Sequence, residues 1–398
     1  MAKNWIRIFN RMIVLFPLTI MLGSCKQDLK MVEDFGLSSA SLKDTSTKMI
    51  QDIYDSCNRL EVANVAYNNV LQERRATLSS ASSQQESSRN FSISSTKQPN
   101  TNPVNNLSPE FLNSDSAINP YKFLPARIKA ACKVEKANSD NVMQLNGVLV
   151  TYVETLGRLA SHSTISFDLN LQGIKNAIIQ TRAQLINPTH ANLTDPQTQQ
   201  FQTSLTDGAN IAQSLLNLYA DQKRFSKLKP IIICSNDSLS RYIKSLENLI
   251  NDYYVTGAIE EEENQSDRYF DALYRLDTVK FGNNLERLNN ELLMLSSEYD
   301  KKNQEINQKK DAALAYFAIL QKTAATHNAL ASQFKGNMTP EAEKAFCANY
   351  FSTNGQKLNA SQIQTEQLNS QEIQVTQKIL QDYVKTVKPL TKKLEESF

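Results

Sequence analysis

The 398-residue sequence predicts an all-α fold, an elongated helical bundle with long coiled-coil-like helices. Three observations carry that expectation. Apolar residues recur over long stretches at helical spacing, and two of those stretches step by 3 and 4 as a heptad seam does. Glycine is scarce, at 10 residues, while Leu, Ala, Gln, Asn and Lys are plentiful. Strand-like β-branched runs are almost confined to Ile231-Ile232-Ile233, a composition that favours helix over sheet.

The first helix is expected from about Ser39 to Leu78, where Met49, Ile50, Ile53, Tyr54, Cys57, Leu60, Val65 and Leu71 recur largely at helical spacing. Residues 79–108 are rich in Ser, Asn, Gln, Thr and Pro. With almost no apolar side chains, such a stretch cannot offset the entropy of ordering itself, so it reads as a mobile polar loop. It does not mark a domain boundary, because a lone 40-residue helical segment would have nothing to pack against. Residues 39–398 are therefore read as one helical domain.

The clearest helix spans about Asp140 to Ala160. Val142, Leu145, Leu149, Tyr152, Leu156 and Leu159 form its seam, and Ser139 or Asp140 is the candidate cap. Another is expected over 167–186, ending before Pro188, and a third begins at Asp195-Pro196 and carries Phe201, Leu205, Ile211, Leu215 and Leu218. Lys229-Pro230 reads as an interruption, Ile231-Ile232-Ile233 as the one strand-like run, and Ser238 to Tyr254 as helix again. From Asn284 to Phe334 a single helix is predicted, about 75 Å long at 1.5 Å per residue. Leu285, Leu288, Leu292, Leu295 and Tyr299 form its seam, whereas 300–310 is polar almost all round and is expected to project into solvent. Gly336 and Pro340 should end it. A short helix around Glu341–Tyr350 follows, then a last one from Ser361 to Lys388 that Pro389 should stop or kink.

The N-terminus supplies an address. Lys3, Arg7 and Arg11 precede the apolar run Met12–Leu22, which is too short for a span of about 20 residues. Charged start, short apolar core and small residues make a secretory signal. The run leads into Leu22-Gly23-Ser24-Cys25, which resembles the lipobox of bacterial lipoproteins. That resemblance covers residues 1–25 alone. It implies cleavage before Cys25, a signal peptide over 1–24, lipid on the Cys25 thiol and a tether over 25–38. Several acyl chains hold firmly where one binds marginally, so a triacylated Cys25 would keep the protein on a membrane without a transmembrane segment. Lys26, where an aspartate would mean inner-membrane retention, leans the expectation toward the periplasmic face of the outer membrane.

Removing residues 1–24 takes Lys3, Arg7 and Arg11 with it, leaving 40 Lys+Arg against 41 Asp+Glu. Such a balance argues against a dedicated nucleic-acid binder. Cys57, Cys132, Cys234 and Cys347 then remain, an even number in a chain bound for an oxidising compartment. They are candidate disulfide cysteines with three possible pairings. Nearest-neighbour pairing, Cys57–Cys132 and Cys234–Cys347, is preferred because each bond would tie together consecutive helical layers; four separately buried thiols are the alternative. No two cysteines have zinc-ligand spacing, so no metal is expected.

No catalytic constellation is expected either. His162, His190 and His327 are far apart in sequence, and none has a second ligand at helical spacing. His327 reads as a core histidine within an apolar-periodic stretch, and His162 as a partner of a helix C-terminal dipole. The nucleophile elbow, the phosphate-cradling loop and the Cys-x-x-Cys pair are missing. Glu260-Glu261-Glu262-Glu263, the densest charge run, reads as a solvated helix face, with attraction of a cation or basic partner as the sharper alternative.

The function expected is therefore that of a lipid-anchored helical envelope protein with an interaction or structural role, no catalytic activity and no cofactor. Its partners would be the membrane, through Cys25, and an envelope protein. The layout also loosely resembles a broad group of uncharacterised helical envelope lipoproteins, which implies no site residues. Two alternatives stay open: a transport component resembling the outer-membrane efflux channels, and a small-ligand receptor with a pocket between helices.

Overall fold

The computed structural model describes residues 42–80, 124–160, 228–352 and 370–398, together with 173–174, 176–177, 179–180, 203–208 and 210–211. The signal, Cys25, the tether, His162, His190 and most of the polar 79–108 segment lie outside the described residues. Among the described residues the fold is all-α, with no strand. Helix α1 covers 42–80 and so runs through Ser79 and Ser80. It is followed by α2 (Leu124–Ala131), α3 (Lys133–Ala160), α4 (Leu228–Ile250) and a ten-residue π-helical segment, Asn251–Glu260. Then come α5 (Glu261–Phe281), α6 (Leu285–Lys335), α7 (Pro340–Ser352) and α8 (Ser370–Glu395). None of these helices is long and apolar enough to cross a membrane.

The chain divides into two compact units. One comprises Met1–Tyr54, Glu135–Ile259 and Asn307–Phe398; the other comprises Asp55–Val134 and Glu260–Ile306. The sequence reading has one domain over 39–398. Every boundary between the units falls inside or next to a continuous helix, where composition does not change, so nothing in the pattern marks it.

The larger unit is built around tyrosines. Tyr152, Tyr242, Tyr254, Tyr316 and Tyr383 are among its largest fully buried side chains, as are Met49, Ile50, Leu145 and Leu149. A buried phenol needs a partner for its hydroxyl, and each of the five has one. Tyr242 donates to the Leu145 carbonyl, Tyr254 to Asp52 and Tyr316 to Asn146. Tyr383 shares a hydrogen bond with Thr323, and Tyr152 with Ser235. The rings supply apolar area while the hydroxyls fix which helix turn faces which. Gly208 is the close-approach point of this unit, since a Cβ added there would lie 2.2 Å from the Tyr242 ring.

Several helix ends differ from expectation for local reasons. The seam of α3 is buried as predicted at Val142, Leu145, Leu149 and Tyr152. Its helix, however, starts at Lys133, so neither Ser139 nor Asp140 caps it. Ser139 instead donates to the Ile50 carbonyl at 2.9 Å, and Asp140 pairs with Lys136 one turn earlier. Ile231, Ile232 and Ile233 are helical and buried in α4. Pro230 sits in the first turn of that helix, where its missing N–H leaves no bond unmade, so it starts the helix and does not interrupt it. Pro389 lies inside α8, which continues to Glu395. Gly336 does end α6, with φ +56°, and Thr339 caps α7 by accepting from the Ala342 N–H at 3.3 Å.

The smaller unit packs α1 against α5 through Val70, Ala272 and Leu276, flanked by Tyr67, Leu71, Tyr269 and Leu273. Asn284 turns α5 into α6, accepting from the Arg287 N–H at 3.1 Å. The seam of α6 is only half-buried here at Leu288, Leu292, Leu295 and Tyr299, and Leu285 is 70% exposed. Expectation and structure also part over 300–310. Ile306 is fully buried, Lys302 binds Glu262 and Lys309 binds Asp52, so this stretch does not project freely into solvent.

Each unit holds one disulfide. Cys57 is bonded to Cys132 in the smaller, tying α1 to the residue between α2 and α3; Cys234 is bonded to Cys347 in the larger, tying α4 to α7. This is the nearest-neighbour pairing.

Candidate functional site

The inward face of α5 can be followed by helical spacing. Leu276, Leu273, Ala272 and Tyr269 are apolar and pack on α1, and one and two turns earlier the same stripe passes through Ser266, Gln265 and Glu262. Three polar side chains therefore stand where the pattern calls for apolar ones, and all three are buried. Glu262 comes from the acidic run that the sequence reads as a solvated face. Glu260 and Glu261 are exposed and Glu263 is half-buried, but Glu262 retains only 4% of its surface because the helix periodicity turns it inward.

A buried carboxylate must be hydrogen-bonded and paired, and Glu262 is both. Arg59 grips it with Nε at 2.7 Å from Oε1 and Nη2 at 3.0 Å from Oε2. Ser56 Oγ donates to Oε2 at 3.1 Å, and Lys302 Nζ to Oε1 at 2.9 Å. Four bonds fill the four acceptor positions of a carboxylate. α1, α5 and α6 are thereby joined at a single group. Glu262→Gln keeps the shape but deprives two cations of their common acceptor. Arg59 and Lys302 are 36% and 27% exposed and can turn to water, so the expected loss is about 2–3 kcal/mol, below the roughly 3–5 of a fully buried pair. Urea denaturation of the variant measures it, and a loss under about 0.5 kcal/mol would mean that the network is dispensable.

Beside this centre lies a cavity of about 220 Å³. α1 contributes Arg59, Leu60 and Ala63, and α6 contributes Lys302. From α5 come Glu262, Gln265 and Ser266, with Tyr269 and Phe270 as an aromatic wall whose rings meet edge to face at 5.5 Å. Gln265 Nε2 and Ser266 Oγ are buried without a protein hydrogen-bond partner. Nine such side-chain atoms occur among the described residues. Phe270 also faces a second, more open groove of about 430 Å³ between α5 and α6, floored by Leu292, Leu295 and Tyr299 with Asp267 and Asp271 on its side.

No family model, curated protein or solved structure matches this chain. Function has to be read from these residues.

His327 is buried in the larger unit, within hydrogen-bond reach of Tyr152 OH (3.1 Å from Nδ1) and Ser235 Oγ (3.5 Å from Nε2). The Tyr152 and His327 rings also meet edge to face. Ser235 donates to the Ile231 carbonyl at 2.6 Å, so its proton is directed to the backbone and not to the imidazole. Burial lowers the His327 pKa to about 4, against a backbone hydrogen bond at Ile232 that acts the other way. Burial likewise drives the Tyr152 pKa up. A neutral imidazole and a neutral phenol in a sealed core make a structural polar network. Among the described residues, no group of three or more His, Cys, Asp or Glu could hold a metal.

Of the residues singled out from sequence, Cys57 and Cys132 come together, as do Cys234 and Cys347, while Cys25 lies outside the described residues. Sequence reasoning missed Arg59, Gln265, Ser266 and Lys302. The signal was present in the stripe 262, 265/266, 269, 272/273, 276, in which extending the apolar period backward lands on polar residues.

Proposed function

We propose that this chain is a lipid-anchored helical protein of the bacterial cell envelope, held through Cys25 at the periplasmic face of the outer membrane, with a non-catalytic interaction role. The observation that carries this reading is that all four cysteines outside the lipobox pair into disulfides. Such bonds persist in oxidising compartments, where a lipobox would send the chain. The interaction role draws support from the first half of α6 and its groove with α5. Leu285, Leu293, Met294 and Tyr274 are more than half exposed there, which places large apolar side chains at the surface of a charged, polar helix pair.

Metabolic labelling with a palmitate analogue tests the anchor. Label is expected in the wild-type chain, which should sediment with membranes, and both properties should vanish in Cys25→Ala. An unlabelled wild-type chain would remove the basis of the proposal. Crosslinking in cells, compared between the two forms, then tests whether a discrete envelope partner is captured only by the anchored one. The receptor alternative is favoured by a specific feature, the cavity beside Glu262.

A further inference from the structure

We infer that the open groove between α5 and α6 is the docking site of a basic amphipathic helix from a partner protein. The inference rests on the proposed interaction role and names the chemistry of the partner. Leu292 and Leu295 floor the groove from α6, and Phe270 and Tyr274 stand beside them on α5. The Phe270 and Tyr299 rings meet edge to face at 5.2 Å across it. Leu285 lies two turns before Leu292 on the same stripe of α6, and Leu293 is one turn from Ser296 at its edge. Both are 70% exposed, and Tyr274 is 52% exposed. Large apolar side chains gathered on one face mark an interaction surface.

Geometry selects a helix. From Leu285 to Tyr299 the stripe covers about 14 residue steps, or about 21 Å at 1.5 Å each. A partner helix of about 14 residues spans that length in roughly four turns. Both walls are α-helices, whose backbone groups are bonded within each helix, so an extended segment would find no sheet edge to join. A helical partner brings its own backbone bonds and needs only apolar side chains at helical spacing to fill the groove.

Charge selects the partner's sign. The lining carries Asp267 and Asp271 and no cation. Asp267 accepts a hydrogen bond from the neutral Tyr299 hydroxyl at 2.9 Å and makes no ion pair among the described residues. Asp271 pairs with Arg275 at 2.9 Å, but both are more than half exposed, so an incoming cation competes with a pair that water already weakens. Nearer the turn, burial and then the Glu291 carboxylate raise the Asp277 pKa, against Lys280 acting the other way. Residues 267–300 hold seven acids against four bases. That excess attracts Lys or Arg on the flanks of a partner helix. It disfavours a second copy of this chain, because a twofold pairing sets one acidic face against another.

The test uses the purified full-length chain and three fluorescein-labelled synthetic peptides of about 14 residues. One has a Leu stripe flanked by Lys, one has Glu in place of each Lys, and one has the Lys sequence shuffled to break the stripe. Fluorescence anisotropy at physiological salt is expected to give the first a Kd below about 100 μM, with the other two at least tenfold weaker. Tyr274→Ala and Asp267→Asn/Asp271→Asn should each weaken it at least fivefold. Helix content by circular dichroism should not change, since all three side chains are exposed and an amide oxygen still accepts from Tyr299. Glu260→Gln/Glu261→Gln removes the same two charges from outside the groove and should leave the affinity within twofold. An equal loss there would reduce the binding to general charge attraction and overturn the inference. So would equal binding of all three peptides, or no binding at about 1 mM. A dimer in sedimentation that Tyr274→Ala dissociates would assign the face to a second copy, and adsorption to phosphatidylcholine vesicles abolished by the same change would assign it to lipid; either overturns the inference. Each of these failures leaves the lipid anchor standing, because palmitate labelling at Cys25 reads it separately.

Discussion

Removing either disulfide is expected to destabilise the protein by about 4–5 kcal/mol. The Cys57–Cys132 bond spans 75 residues and Cys234–Cys347 spans 113. In the chain-entropy model, closing loops of that size restricts the unfolded chain by about 4–5 kcal/mol each at 25 °C. Globular proteins retain only about 5–15 kcal/mol of net stability, so loss of both bonds would bring the chain close to unfolding. Arg127 still pairs with Glu61, from α2 to α1, and Lys335 with Glu343 on α7, but partly exposed ion pairs contribute only about 0–1 kcal/mol each. Cys57 lies on α1 and Cys132 just before α3, with much of the intervening sequence polar, while α4 and α7 meet across the Cys234–Cys347 bond and the rest of α7 is largely exposed. Guanidinium denaturation of Cys57→Ser/Cys132→Ser and of Cys234→Ser/Cys347→Ser, each against the oxidised wild type, measures the two terms separately. Midpoints that stay within error of the wild type would show that packing alone holds these helices. The same loss under reductant would favour the proposed oxidising compartment.

The fold class and the site differ in how far they can be read from the amino-acid order. Helices follow from local spacing, and the 51 residues of α6 were predicted within a residue at each end because Asn284 can cap it and Gly336 can adopt positive φ. The buried face of α3 was legible for the same reason. Failures came where one local signal has two meanings. A proline before three isoleucines marks the start of a helix as readily as a break before a strand, and only burial of all three on α4 decides. Pro389 shows that a helix held on both sides of a proline, here by Val387 and Leu394 in the core, tolerates the lost bond. The Glu262 centre was hidden differently. Its cations stand 203 and 40 residues away, on α1 and α6, and no local pattern links Arg59 or Lys302 to an acidic run. What the order of residues did contain was the inward phase of Glu262, visible only when the α5 stripe is carried past its last apolar member.

His327 should make the protein lose stability between about pH 6.5 and about pH 4. In the unfolded chain an imidazole titrates near 6.5, whereas burial lowers the folded value to about 4. Below 6.5 the unfolded state therefore binds the extra proton first, and protons pull the equilibrium toward it. The contribution is fully present above 6.5, falls as pH drops through the window, and stops changing below the folded value. The gap of roughly two and a half units corresponds to about 3 kcal/mol. Groups around the ring do not rescue the charged form. Tyr152 is held neutral by its own burial and Ser235 gives its proton to Ile231, so neither hydrogen-bonding neighbour of the ring offers a negative charge to an imidazolium. Carboxylates in any protein also take up protons toward the acid end of this range, so the wild-type curve alone cannot assign the effect. His327→Gln retains a donor and an acceptor in the core but cannot titrate. It should be less stable than the wild type at pH 7, with the gap narrowing by about 3 kcal/mol as pH falls to 4. Urea midpoints at half-unit steps read this directly. Parallel curves for the two proteins would mean that His327 is protonated in the folded core, and that the Tyr152–Ser235 network accommodates a charge its geometry does not favour.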